Sequence, residues 1–84
     1  MIELETLKKK IIYRANYRGT KEMDILLSKF VDKYINTFSE RELLDLFEFL
    51  NMEDELIYNF YQTKKMNKKI KKNKISETFK TFKL

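Results

Sequence analysis

Met23-Asp24-Ile25-Leu26-Leu27-Ser28-Lys29-Phe30-Val31-Asp32-Lys33-Tyr34, followed shortly by Ser39-Glu40-Arg41-Glu42, is the stretch from which the fold can be read. Met23, Leu26, Leu27, Phe30, Val31, Tyr34 and Phe38 recur at steps of three and four, which puts them on one broad helical face, with Asp24, Lys29, Asp32 and Lys33 pointing outward. Ser39 and Glu42 have the spacing of a capping box, in which each side chain satisfies an amide left without a partner at a helix start. One helix, predicted to be the longest, therefore ends before Ser39, and another begins at about Glu40.

The same steps continue in both directions. Upstream, Leu4, Leu7 and Ile11, with Ile12 and Ala15 beside them, predict a helix over roughly residues 3–16. Downstream, Leu43, Leu46, Phe47 and Leu50 form the stripe of the third helix. Asn51 then precedes an acidic first turn, Glu53-Asp54-Glu55, whose charge complements the dipole of a fourth helix running to about Gln62. That helix offers Leu56, Ile57, Phe60 and Tyr61 to the core. Ile75, Phe79 and Phe82 keep helical spacing, enough for a fifth, weakly held helix.

Proline is absent and Gly19 is the only glycine, so few points force the backbone to turn. The prediction is an all-α fold, a small antiparallel bundle of four to five helices joined by short loops. Each stripe must bury one face, so the aromatic and aliphatic residues are read as core rather than as a cofactor box.

Eighty-four residues suffice for one domain with a modest core. Residues 1–63 are read as the helical bundle domain and 64–84 as a lysine-rich C-terminal tail, because charge divides there. The first part carries 9 basic and 12 acidic side chains, a balance of −3, and the second 9 lysines against Glu77, a balance of +8. The block Lys64-Lys65-Met66-Asn67-Lys68-Lys69-Ile70-Lys71-Lys72-Asn73-Lys74 would attract nucleic acid or anionic lipid. Lysine, asparagine and isoleucine are frequent throughout, however, as AT-rich coding DNA would give, and the run reads more simply as a solvated tail. The main alternative function is a small basic helical nucleic-acid-binding protein, with a helix-turn-helix across residues 20–50; against it, residues 1–63 are net acidic and the third helix offers few base-reading side chains apart from Arg41. No nucleic-acid partner is expected.

Cysteine and histidine are both absent, which removes disulfides, thiolate metal sites, the commonest general acid/base and the commonest nitrogen ligand for a metal. With no phosphate-cradling glycine loop either, a binding role is expected, with no catalytic residue, no metal and no cofactor held by the chain itself. A generic helical interaction module stays open as an alternative, and an enzyme using Glu22, Asp24 and a lysine is the least favoured. No run approaches the roughly 20 apolar residues that span a bilayer. Neither a signal peptide nor a transit peptide is apparent, so the chain is expected to begin near Met1 and to be cytoplasmic if bacterial. A eukaryotic chain, already processed, would belong in the mitochondrial matrix. A monomer is expected when free.

One stretch is more specific than these patterns: Arg14-Ala15-Asn16-Tyr17-Arg18-Gly19-Thr20-Lys21-Glu22-Met23-Asp24, at the junction of the first two helices. On the residues alone, Arg18 and Glu22 read as an intrachain pair, or Glu22 as a dipole-stabilising acid in the first turn of the second helix, and Gly19 as a left-handed cap ending the first helix. Arg18-Gly19-x-x-Glu22 followed by Met23-Asp24 also resembles the signature of the flavinator family, the succinate dehydrogenase flavinylation factors of bacteria and mitochondria. Ser39-Glu40-Arg41-Glu42 and Glu53-Asp54-Glu55-Leu56-Ile57-Tyr58-Asn59-Phe60 fall where that family places its third and fourth helices, so the resemblance spans residues 11–61. Where members carry tryptophan before the motif and in the fourth helix, this chain has Asn16 or Tyr17 and Phe60. The resemblance implies a chaperone-like assembly factor that binds the flavoprotein subunit of succinate dehydrogenase and favours the bond between FAD and a histidine of that partner. Whether fumarate reductase is also served stays open. It further implies partner contact by Arg18, Gly19 and Glu22, with Asp24, Arg14 and Tyr17 flanking them. It implies nothing for residues 64–84.

Overall fold

Five helices succeed one another along the chain: α1 (Leu4–Asn16), α2 (Lys21–Tyr34), α3 (Glu40–Leu50), α4 (Asp54–Thr63) and α5 (Lys74–Thr81). The structure is a computed structural model that describes residues 3–65 and 68–84, and among these there is no strand. Met1, where the chain was expected to begin, and Met66 and Asn67 of the lysine block lie outside the described residues.

Three helix starts are set by side chains. Thr20 Oγ1 accepts from the Met23 amide at 3.2 Å. Ser39 and Glu42 form the predicted reciprocal box, at 3.2 and 2.8 Å, and Asn73 forms a second box with Ser76. The Ser39 amide, and after it the Lys74 ammonium, hold the Glu42 carboxyl below the ordinary glutamate range despite some burial working the other way. α2 is the longest helix, at 14 residues, but it stops at Tyr34. Phe38 lies beyond it and stays buried, stacked on Tyr34 with centroids 5.6 Å apart.

α1 packs on α2 and α3, while α5 packs on α3 and α4. This arrangement decides which residues of each stripe turn inward. α1 buries only Leu7, Ile11 and Ala15, and leaves Leu4 and Ile12 exposed. α3 buries Phe49 together with Leu43, Leu46 and Leu50, and Phe47 is only half-buried. Phe49 is inward because it meets Phe79 of α5 edge-on at 5.3 Å. α4 buries Ile57 and Phe60 fully, Leu56 and Tyr61 in part.

The core does not end at residue 63. Ile70, Ile75, Phe79 and Phe82 belong to the same buried cluster as the other helices. Phe79 lies 5.0 Å from the Phe30 ring and 5.1 Å from that of Tyr61, whose hydroxyl donates to the Phe82 carbonyl at 2.7 Å. Each such side chain contributes about 1.5–3 kcal/mol on burial. The lysine-rich segment is thus a structural part of the domain rather than a tail. Its charge also has a destination on α3, since Lys71 pairs with Glu48 at 2.7 Å and Lys74 with Glu42 at 3.3 Å. Exposed pairs of this kind are worth about 0–1 kcal/mol each, so the apolar anchors dominate.

Candidate functional site

The junction between α1 and α2 is held from behind by the start of α4. Arg18 directs its guanidinium inward, with only 7% of the side chain exposed. Nε donates to Asp54 Oδ1 at 2.7 Å, Nη1 to the Leu50 carbonyl at 2.6 Å and Nη2 to the Met52 carbonyl at 2.9 Å. Leu50 is the last residue of α3, where carbonyls lack intrahelical partners and favour a cation. Asp54 opens α4, where an acid is favoured for the converse reason. One arginine therefore joins three helix ends, and it does so with charge-assisted bonds.

The same carboxylate fixes the loop itself. Asp54 Oδ2 accepts from the Gly19 amide at 2.5 Å, while Asp24, in the first turn of α2, accepts from the Arg18 amide at 2.6 Å. The glycine is needed for this approach. A Cβ built on Gly19 would stand 2.9 Å from Asp54 Oδ2, closer than side chains tolerate. Gly19 does not have a positive φ, so the left-handed cap expected at this position is absent. The α1 cap is Tyr17, at φ −125° and ψ 73°.

Of the two readings of Glu22, the pair with Arg18 is absent, whereas its place as an acid in the first turn of α2 is what the structure shows. Arg18 bonds Asp54 instead, because its side chain points beneath the loop while Glu22 stands exposed on the outer first turn of α2. The structure therefore divides the six residues singled out in sequence. Arg18 is internal and Asp24 half-buried, both holding the loop. Gly19, Glu22, Tyr17 and Arg14 are exposed around it. Asp54 was read only as a dipole-complementing acid; no local pattern announces its contact with residues 35 and 36 positions earlier.

Two concave surfaces flank the loop. On one side Gly19, Glu22, Met23, Asp54, Glu55 and Tyr58 form an acidic depression. On the other, Lys9, Lys10, Tyr13, Arg14, Tyr17 and Phe47 line a groove of basic and aromatic character. Among the described residues no cluster of side chains is suited to a metal ion, and no helix is long and apolar enough to cross a membrane.

Fold and site together define a small helical domain with a partly exposed loop between its first two helices, latched by Arg18, Asp54 and Asp24. The family follows from sequence comparison. A family model described as flavinator of succinate dehydrogenase matches residues 9–83, and the chain belongs to that family. The match runs through α5, past the limit at residue 61 of the motif-based resemblance. The chain is similar to a mitochondrial succinate dehydrogenase assembly factor 2 of Scheffersomyces stipitis, 39% identical over 73% of this chain and 40% of the relative. It is similar to the corresponding Dictyostelium discoideum protein, 33% identical over 94% of this chain and 50% of that one. An FAD assembly factor, SdhE, of Acetobacter pasteurianus is 39% identical over 61% of this chain and 47% of its own length. The chain thus spans half or less of the length of these relatives. No solved structure gives a significant match.

Proposed function

We propose that this chain is an assembly factor that binds the flavoprotein subunit of succinate dehydrogenase and promotes covalent attachment of FAD to that subunit. The reading is supported by the family match over residues 9–83, which takes in the whole Arg18-Gly19-x-x-Glu22 junction. The FAD and the histidine that bears it belong to the partner, and the chain contributes no catalytic site and no cofactor of its own. A bacterial chain would act in the cytoplasm and a eukaryotic one in the mitochondrial matrix.

In this reading the junction has an inner and an outer layer. Arg18, Asp54 and Asp24 keep the loop from moving, which lowers the entropy cost of binding. The outer layer makes the contact. Gly19 lets a partner backbone come close, Glu22 presents a carboxylate, and Tyr17 and Arg14 extend the surface onto α1. Binding then assists flavinylation by orienting the flavin methyl carbon and the histidine in a near-attack geometry. Preferential binding to an immature conformer of the subunit would assist by a second route, with release once the mature fold forms.

The test is covalent flavin fluorescence of the flavoprotein subunit on a denaturing gel, produced with no factor, with this chain, or with its Glu22→Ala variant. Fluorescence is expected to rise with the wild type and to fall back with the variant. No change with folded wild-type chain would overturn the reading.

A further inference from the structure

The groove between α1 and Phe47 of α3 carries charge that no carboxylate among the described residues answers. Lys9, Lys10 and Arg14 line it, and no carboxylate does. None of the three is in a salt bridge, whereas Arg18, Arg41, Lys71 and Lys74 each have an acidic partner among the described residues. Arg14 is held over the Phe47 ring, 5.3 Å from its centroid, so its position is fixed without its charge being neutralised.

The same wall carries unusual aromatic exposure. Tyr13 and Tyr17 are 65% and 70% exposed and pack against each other with centroids 4.5 Å apart. Neither hydroxyl makes a hydrogen bond among the described residues. Tyr17, the α1 cap, follows Tyr13 by four residues, and Lys9 and Lys10 continue this face of α1 toward its start. Paired, self-supported tyrosines lose little side-chain freedom on binding and, with arginine, are the residue types that anchor interfaces.

We infer that this face of α1 is a docking surface for an acidic segment of the flavoprotein subunit, an inference that rests on the proposed function. Carboxylates of that segment would answer Lys9, Lys10 and Arg14, and its backbone or amide groups would take the tyrosine hydroxyls. Beyond the Gly19 loop the sign reverses, with exposed Glu22 and Glu55 lining the opposite depression beside Asp54, which is already paired with Arg18. A partner crossing the loop must therefore present acid to α1 and base to α2 and α4, which fixes its direction. A nucleic acid, uniformly negative, would meet repulsion over that second half.

The experiment measures the affinity of the apo flavoprotein subunit for wild type, Lys9→Glu/Lys10→Glu, Tyr13→Ser/Tyr17→Ser and Glu22→Ala, at low and moderate salt. All the replaced groove side chains are exposed, so unchanged helical circular dichroism is expected throughout. Each groove double variant should weaken binding on the order of tenfold or more, and charge reversal should also reduce the salt dependence. Wild-type-like affinity of both groove variants, alongside weakened Glu22→Ala, overturns the docking surface and leaves the proposed function standing. Loss of affinity for random duplex DNA, with none for the flavoprotein, also overturns it in favour of nucleic acid. Failure of the folded wild type to bind the subunit at all overturns the function and this surface together.

Discussion

Removing the Arg18 side chain tests whether the residue holds the fold or contacts a partner. Arg18→Ala takes away the donors of the Leu50 and Met52 carbonyls and the countercharge of Asp54. Breaking a buried pair by deleting one member costs about 3–5 kcal/mol. Asp54 is 25% exposed, so water can solvate part of its charge, and the lower end, about 3 kcal/mol, applies. A chain of this length has on the order of 4–13 kcal/mol of stability in total, so the variant would lose a large part of it. The midpoint of thermal unfolding should fall by about 12–24 °C, at roughly 4–8 °C per kcal/mol. Urea denaturation followed by far-ultraviolet circular dichroism would compare wild type, Arg18→Ala, Arg18→Lys and Glu22→Ala. The lysine variant should recover only part of the loss, because a single ammonium cannot reach three acceptors in different directions. Glu22→Ala should match the wild type within about 0.5 kcal/mol, as expected for an exposed surface position. An Arg18→Ala variant equally close to wild type would refute the latch.

Other outcomes follow from the same geometry. Gly19→Ala should destabilise by about 1–3 kcal/mol, because its Cβ displaces the Asp54 carboxylate from both the Arg18 and the Gly19 bonds; equal urea midpoints would contradict this. Phe79→Ala should cost about 3–5 kcal/mol, since this ring is fully buried against three helices, whereas a loss under about 0.5 kcal/mol would mean that the C-terminal segment is a tail after all. Glu42 has its folded pKa lowered, so its contribution is complete above the ordinary glutamate value of about 4.3 and disappears as pH falls through the folded value. Glu42→Gln should therefore lose less stability than wild type on acidification through that range, and identical pH profiles from urea titrations would count against the Lys74 and Ser39 contacts as its cause.

The helical type and the start of α3 were legible in the sequence because their signals are local, while the number stayed at four to five and the Asn73 start of α5 was not read. Apolar residues three and four apart must share a helical face, and a serine three residues before a glutamate can close a cap without help from elsewhere. The Arg18-Gly19-x-x-Glu22 motif was legible in the same way, as a string. Tertiary structure decided which side of each string faces in. Phe49 replaces Phe47 in the core because α5 lies against that side of α3, and the lysines around Ile70 and Ile75 obscured how firmly that end is anchored. Gly19 is required by a carboxylate 35 residues later in the chain, not by its own backbone angle. Arg18 turns inward for the same carboxylate and for two carbonyls at the end of α3. Periodicity and capping act over one or two turns of chain, whereas the direction of a charged side chain depends on which helix ends the fold brings beside it.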